Sequence, residues 1–236
     1  ESPLSEDLMQ SIALENNLSE TAFININESP IPIRWFTPTL EVDLCGHATM
    51  ASAKILFEHF PDIAGSEISF SSKSGILKVS KNAEDICLNF PADDPELQEM
   101  DALFAEALGE SPIEILRGTD DFLAVFETEQ QIQTMNPDFT KLAKINSRGV
   151  VISAPGNDVD FVSRCFFPQT GVDEDPVTGS AHTMLIPYWA KQLDKIEFKA
   201  HQLSARGGVL DCKLINDRVL ISGKSIIYFE GMISII

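Results

Sequence analysis

Basic residues are scarce in this chain. It has 17 lysines and arginines against 36 aspartates and glutamates, which gives a formal net charge of −19. Nucleic acids are bound through their phosphates by basic surfaces, so this balance argues against a nucleic-acid partner. A small anionic metabolite remains open as a ligand, because helix N-termini and a few local donors can outweigh the global charge within one site.

Other signals are missing as well. The four cysteines are scattered without C-x-x-C spacing, a pattern that fits reduced thiols in a cytoplasmic protein and predicts no metal site. No apolar run reaches about 18 residues, so we expect no membrane span. No glycine-rich dinucleotide or phosphate-binding loop follows a predicted strand, which indicates chemistry without a cofactor. A Ser180–His182 nucleophile pair is disfavoured because the G-x-S-x-G turn is absent.

One stretch that is present combines carboxylates with a helix start made of small residues. Residues 171–182 read Gly-Val-Asp-Glu-Asp-Pro-Val-Thr-Gly-Ser-Ala-His and precede an apolar run from Met184 to Ala190. The first free N–H groups of a helix favour an anion, and small residues let a ligand approach the backbone. We interpret the stretch as an anion-binding helix start beside ionisable groups. An acidic N-cap on an ordinary amphipathic helix is the alternative interpretation.

The same pattern occurs a second time. Pro-Thr-Leu-Glu-Val-Asp-Leu-Cys at 38–45 precedes Gly-His-Ala-Thr-Met, and Pro-Gln-Thr-Gly-Val-Asp-Glu-Asp at 168–175 is followed at 178 by Thr-Gly-Ser-Ala-His-Thr-Met. Cys45 in the first copy corresponds to Asp175 in the second. Such internal similarity predicts two related halves. Two helix N-termini brought face to face would form one anion site, with Cys45 and Asp175 on opposite sides of it.

The remaining patterns predict an α+β fold. The clearest boundary signal, at 91–95, divides the chain into halves at 1–91 and 92–236, each a strand-rich, mostly antiparallel sheet around one central helix. The predicted helices cover 4–14, 50–59, 97–108, 139–144 and 184–191. The predicted strands cover 19–26, 31–36, 67–70, 75–79, 86–90, 113–117, 122–126, 150–154, 160–167, the region around 198, 202–205, 208–215, 219–222 and 225–235.

Three blocks of sequence carry a resemblance to a known family. Ser-Glu-Thr-Ala-Phe at 19–23, Leu-Cys-Gly-His-Ala-Thr at 44–49 and Glu-Asp-Pro-Val-Thr-Gly-Ser-Ala-His at 174–182 resemble the phenazine-biosynthesis PhzF-like family, which is related in fold to diaminopimelate epimerase. The resemblance implies two pseudo-symmetric halves, each a barrel-like sheet around a central helix, with the active site in the cleft between them, and a homodimer. Family members usually begin with a strand and a Gly-Asn-Pro loop. Since this sequence lacks them, we expect its natural N-terminus, and part of the site, to be missing.

The resemblance also implies roles for individual residues. Taken alone, Glu20 reads as a solvated surface acid, but the acid of this block is the family's proposed general acid/base. A carboxylate can carry a proton between two substrate carbons if burial raises its pKa toward the working pH. Asp175 matches a second acid of the family's cleft, and His47 can donate or accept a hydrogen bond there. The predicted substrate-binding residues are Cys45, Gly46, Ala48, Thr178, Gly179 and Ser180.

Cys45 has two interpretations. In the related epimerases two thiols face each other as acid and base, whereas here the second position is Asp175, so a symmetric two-thiol racemisation is not expected. A Cys45–Asp175 pair could still epimerise a substrate, or Cys45 could be a small packed hydrophobe.

Three hypotheses follow. The first is a cofactor-independent isomerase that moves a proton within a small carboxylate-bearing metabolite, with Glu20 as the proton carrier and Asp175 and His47 as the groups that orient the substrate and stabilise charge. The second is an amino-acid epimerase or racemase that uses Cys45 and Asp175. The third is a non-catalytic small-molecule binding or interaction protein on the same fold.

Overall fold

The α+β fold predicted from the sequence is confirmed. The computed structural model describes residues 4–82 and 85–234, in which helices pack against a long mixed sheet. Within these ranges, no helix is long and apolar enough to cross a membrane.

The two longest helices follow the two copies of the repeated motif. The α-helices of the described chain are α1 (Glu6–Asn16), α2 (Gly46–His59), α3 (Pro61–Ala64), α4 (Ala102–Leu108), α5 (Glu129–Thr134), α6 (Phe139–Leu142) and α7 (Gly179–Leu193). Helix α2 has 14 residues and α7 has 15, and each begins at the glycine of its motif.

The strands form one hydrogen-bonded path. They are β1 (Thr21–Ile24), β2 (Ile31–Phe36), β3 (Glu41–Val42), β4 (Glu67–Ser72), β5 (Gly75–Asn82), β6 (Asp85–Pro91), β7 (Glu96–Leu97), β8 (Glu114–Arg117), β9 (Asp121–Val125), β10 (Gly149–Pro155), β11 (Phe161–Phe167), β12 (Val172–Asp175), β13 (Glu197–Gln202), β14 (Gly208–Ile215) and β15 (Arg218–Gly223). Their order is β1-β2-β4-β5-β6-β15-β14-β13-β11-β10-β9-β8-β7, with β3 beside β2 and β12 beside β11. The pairing is mostly antiparallel, as predicted. The parallel pairs among the described strands are β2–β4, β9–β10 and β11–β13.

The last described strand links the two predicted halves of the chain. Strand β15 pairs with β6 in an antiparallel register that places Val219 opposite Phe90. The sheet is therefore continuous across the predicted boundary. The division at 1–91 and 92–236, and the pseudo-symmetry of the two halves, stay predictions.

The main core forms where α2 and α7 pack against the sheet. Leu56 of α2 and Leu185 of α7 are fully buried, together with Phe70 and Phe90 of the strands. Burial of an apolar side chain of this size contributes about 1.5–3 kcal/mol. This packing holds the two helices in place, and it thereby fixes the position of their N-terminal turns.

Three predicted elements differ from the structure. The helix predicted for 97–108 begins only at Ala102, because Asp101 caps it and Glu96–Leu97 pair with β8 instead. The strand predicted for 202–205 ends at Gln202, the last residue of β13, and the chain then bends, with Ser204 Oγ accepting a hydrogen bond from the N–H of Gly207 at 3.0 Å.

The strand predicted for 225–235 is also wrong over its described part. Residues 225–234 have no strand structure, and Ile235 lies outside the described residues. Alternating apolar residues form a strand only if a sheet edge pairs with them, and the pairs formed by the described strands do not include this segment. Its side chains stay exposed, as Tyr228 (99%) and Met232 (100%) illustrate.

Candidate active site

The first turns of α2 and α7 meet at a contact between two glycines. A Cβ atom added to Gly46 would lie 2.7 Å from the Cα of Gly179, and one added to Gly179 would lie 3.0 Å from the Cα of Gly46. Real Cβ atoms do not approach backbone this closely, so only glycine at both positions permits the contact. The free N–H groups of both helices are thereby brought to one place, where they favour a negatively charged group.

This contact predicts the outcome of an alanine substitution. We expect Gly46→Ala to lower the free energy of unfolding by about 1–3 kcal/mol, because the added methyl group must push the two helices apart. Alanine stabilises a helix interior relative to glycine by only about 1 kcal/mol, which is too little to offset the clash. Chemical denaturation measures the change. Gly223→Ala is the control, since a Cβ there meets no atom closer than 3.7 Å; equal stability of the two variants would contradict the close contact.

A cleft of about 300 Å³ opens beside the glycine contact. The structure brings eight of the nine residues predicted for the site to its wall. They are Glu20, Cys45, Gly46, His47, Asp175, Thr178, Gly179 and Ser180. Ala48 is the exception, because its side chain is 6% exposed and packs in the main core, so it is not placed to contact a ligand.

Glu20 and His47 form the closest ionisable pair in the cleft. Glu20 lies between the end of α1 and the start of β1, and its Oε2 is 3.1 Å from Nε2 of His47. The hydroxyl of Ser19 lies 3.4 Å from the same ring nitrogen. Because the side chains of Glu20 and His47 are only 15% and 20% exposed, water screens their interaction weakly.

Asp175 and Cys45 lie near the other ring nitrogen of His47. Nδ1 is 3.9 Å from Asp175 Oδ1 and 3.7 Å from the sulfur of Cys45. The second oxygen of Asp175 accepts a hydrogen bond from the hydroxyl of Thr178. Asp175 Oδ1 is buried and accepts no hydrogen bond from the described residues, whereas Glu20 Oε2 is buried against the ring of His47. Unsatisfied buried acceptors are costly and concentrate at functional sites, so Asp175 Oδ1 is available to a ligand.

The surroundings set the protonation states of these groups in opposite directions. Burial raises the pKa of Glu20, but the hydrogen bond and charge of His47, with Ser19 and Cys45, outweigh it, so the pKa lies below its ordinary value. Burial lowers the pKa of His47, but Cys45, Glu20 and Asp175 raise it well above 6.5. Burial raises the pKa of the Cys45 thiol, and it raises that of Asp175 against the opposing effect of His47.

At neutral pH Glu20 is therefore ionised, and His47, whose pKa lies well above 6.5, is protonated beside it. The condition stated from the sequence, that burial raises the pKa of Glu20 toward the working pH, is not met, because the neighbouring imidazolium stabilises the carboxylate more than burial disfavours it. A carboxylate in this state can accept a proton, and the imidazolium can stabilise negative charge on a ligand.

Gln202, which the sequence analysis missed, holds the second helix start in place. Its side chain accepts a hydrogen bond from the N–H of Thr178 at 2.7 Å and donates to the carbonyl of Asp175 at 2.7 Å. His182 lies one turn into α7, with Nδ1 2.8 Å from the carbonyl of Thr178, and burial lowers its pKa to about 4. The sequence pattern that could have identified Gln202 is its place in β13, where it occupies a buried position of the alternating strand although it is polar.

One group of side chains has the composition of a metal site. Glu20, Cys45 and His47 offer ligand atoms within 4.8 Å of one another. A metal bound there would have to displace the proton of the Cys45 thiol, whose pKa burial raises. The contacts of Glu20 and Cys45 with His47 account for the group without a metal.

Comparison with known proteins agrees with the resemblance of the three sequence blocks. A family model described as phenazine biosynthesis-like protein (PhzC-PhzF) matches residues 1–231. A relative from Pseudomonas aeruginosa, named as an uncharacterized isomerase, is 48% identical over 230 residues, which are 98% of this chain and 88% of the relative.

Solved structures have the same fold. A phenazine biosynthesis protein of the PhzF family from Enterococcus faecalis matches with a TM-score of 0.88 at 44% identity, over 95% of this chain and 86% of that one. A hydroxyproline epimerase from Agrobacterium vitis matches with a TM-score of 0.61 at 12% identity, over 89% of this chain and 72% of that one, which shows the fold alone. The predicted diaminopimelate epimerase-like fold is confirmed.

Proposed function

Because this chain belongs to the phenazine biosynthesis-like (PhzC-PhzF) family, we propose that it is a cofactor-independent isomerase that moves a proton within a small carboxylate-bearing metabolite. One observation carries the proposal. An ionised Glu20 and a protonated His47 lie 3.1 Å apart, in a cleft where two helix N-termini converge.

The first step removes a proton from carbon. Glu20 accepts the proton, and the electron pair left behind is delocalised onto an oxygen of the substrate carboxylate. Negative charge therefore grows on that oxygen as the C–H bond breaks. His47 and the N–H groups at the starts of α2 and α7 are suited to stabilise it, because fixed donors in a cleft with little water need no reorganisation.

The second step returns the proton to a different carbon, at the far end of a C=C bond that is conjugated with the carboxylate, so that this double bond shifts as the new C–H bond forms. Glu20 now acts as the acid, so one carboxylate completes the transfer and the protein ends in its starting state. Proton transfer by a positioned side chain contributes about 10²–10⁴-fold to rate. The chemistry needs neither an electron acceptor nor a covalent intermediate, which agrees with a mechanism that uses no cofactor.

The protonation state of Cys45 supports this route over the epimerase. Epimerisation by Cys45 and Asp175 requires Cys45 to act as a thiolate base in one of its two directions, and burial disfavours that form because it raises the pKa of the thiol. In the proposed mechanism Cys45 remains a neutral thiol that packs against His47.

A deuterium exchange screen tests the proposed function. The protein is incubated in D₂O with a panel of small carboxylates, amino acids and unsaturated ring acids, and mass spectrometry and NMR detect deuterium bound to carbon. We expect incorporation into at least one carboxylate whose C–H bond lies next to the carboxylate or is conjugated with it. No incorporation into any compound that shifts the melting temperature would instead favour a binding protein.

A further inference from the structure

Arg148 lies in the wall of the cleft, although no sequence motif pointed to it. Its Nε donates to Asp121 Oδ1 at 2.9 Å, and Nη2 donates to Asp121 Oδ2. The guanidinium lies over the ring of Phe167, 5.3 Å from the centroid. Asp121 is nearly fully buried and balances the charge of Arg148, so the pair is a rigid support more than a free cation.

The same guanidinium reaches the first turn of α7. Nη2 of Arg148 lies 3.3 Å from Oγ of Ser180, the second residue of that helix. A guanidinium carries only donors, so the Ser180 oxygen must be the acceptor in this contact. The hydroxyl hydrogen of Ser180 therefore has to be donated to another atom.

The usual acceptor for such a hydrogen already accepts a hydrogen bond from another residue. Hydroxyls near a helix start commonly donate to the carbonyl four residues earlier, as Thr49 does to Cys45 and Ser52 does to Ala48. For Ser180 that carbonyl belongs to Pro176, and it accepts a hydrogen bond from Ser204 at 2.7 Å.

No acceptor among the described residues takes the Ser180 hydrogen. Ser180 is half-buried and lines the cleft. The hydroxyl can therefore donate into the cleft, to water or to a ligand oxygen that displaces the water.

The position of Ser180 shows what it would bind. Ser180 is the second residue of α7, just as His47 is the second residue of α2, and the glycines before them touch. The two side chains thus belong to equivalent turns on either side of the glycine contact, and both line the same cleft.

We propose that Arg148 is a positioning residue: it holds Ser180 Oγ as an acceptor, so that the Ser180 hydroxyl donates into the cleft and, together with His47, binds an oxygen of the substrate carboxylate. The proposal rests on the proposed function for the identity of the substrate group. To that proposed function it adds Arg148 as the residue that fixes the direction of the Ser180 hydrogen bond.

A double-mutant cycle on ligand affinity tests the role of Arg148 without measuring turnover. Isothermal titration calorimetry measures the affinity of the full chain for two probes, benzoate and inorganic phosphate. We expect the protein to bind at least one of them and Ser180→Ala to weaken that binding about tenfold, as for a hydrogen bond to a charged group. Arg148→Lys alone should weaken probe binding about fivefold. In the Ser180→Ala background the same change should weaken probe binding less than twofold further, because both changes remove the same interaction.

Arg164 supplies the matched control. It also pairs bidentately with a carboxylate, that of Glu174, and lies over the ring of Phe166, but it does not line the cleft. Arg164→Lys should change probe affinity less than twofold, even if it costs as much stability as Arg148→Lys. If Arg148→Lys does not fold, the Asp121→Asn, Arg148→Gln double variant removes both charges and should match the affinity of Ser180→Ala.

Three results would overturn the proposal. The first is that the unmodified protein binds neither probe. The second is that the effects of Arg148→Lys and Ser180→Ala are additive, and the third is that Arg164→Lys weakens binding as much as Arg148→Lys. If no deuterium exchange is found but the effects of Arg148→Lys and Ser180→Ala on probe binding are non-additive, the isomerase proposal is refuted and the positioning role of Arg148 stands. If exchange is found but the two effects are additive, the isomerase proposal stands and the positioning role is refuted.

Discussion

Replacement of Glu20 by glutamine is expected to lower kcat/KM at least a hundredfold, which corresponds to about 2.7 kcal/mol of lost transition-state stabilisation. Glutamine has the size of glutamate and can still accept a hydrogen bond from His47, but it cannot accept a proton from carbon. Among the described residues, no other carboxylate takes the place of Glu20 beside His47 Nε2, so the proton transfer itself is slowed. The loss should therefore appear in kcat as well as in kcat/KM. Steady-state kinetics on the substrate found by deuterium exchange measures both.

The control for this prediction is a carboxylate outside the cleft. Glu114 is half-buried and accepts a hydrogen bond from the hydroxyl of Tyr188 at 3.0 Å. Glu114→Gln keeps that acceptor and should leave kcat/KM within about twofold, as expected of a site that does not touch the reaction. A Glu20→Gln variant that kept more than a tenth of the activity would refute the assignment of Glu20 as the proton carrier.

Replacement of His47 by glutamine is expected to lower kcat/KM about 10²-fold and to change its pH dependence, since removal of one oxyanion donor typically has an effect of this size. The active form has Glu20 ionised and His47 protonated. As the pH rises, activity should appear when Glu20 loses its proton, below pH 4.5, and should fall when His47 loses its proton, well above pH 6.5.

The His47→Gln variant should change both limbs of the profile. The alkaline limb due to His47 disappears, because glutamine does not titrate. The acid limb moves to higher pH, because the cation that lowers the pKa of Glu20 is gone and burial, which raises it, remains. An unchanged alkaline limb in the variant, or an acid limb that stays in place, would show that His47 does not control the charge of the site.

Much of the site could be predicted because its residues come from contiguous motifs. Two copies of one pattern predicted two helix starts, and Gly46 and Gly179 do bring them together. Glu20 follows the helix predicted for 4–14 at the start of the strand predicted for 19–26, and in the structure α1 and β1 flank it. Local sequence sufficed here because caps, turns and small residues act over a few neighbours.

The parts that could not be predicted depend on contacts between distant residues. His47 lies 27 positions after Glu20, and the sequence does not show that it comes close enough to lower the pKa of the acid. Arg148 and Gln202 also act on α7 from far along the chain. The segment 225–234 shows the same limit, because its strand-like sequence does not reveal whether a sheet edge is there to pair with it.

The central claim is that Glu20, and not Cys45, carries the proton. The most direct test is the rate of deuterium incorporation into the substrate carbon in D₂O, compared between Glu20→Gln and Cys45→Ala. Our account predicts that incorporation is lost in Glu20→Gln and stays within a few-fold of the unmodified protein in Cys45→Ala. Incorporation that survives in Glu20→Gln but is lost in Cys45→Ala would contradict it and identify the thiol as the reacting group.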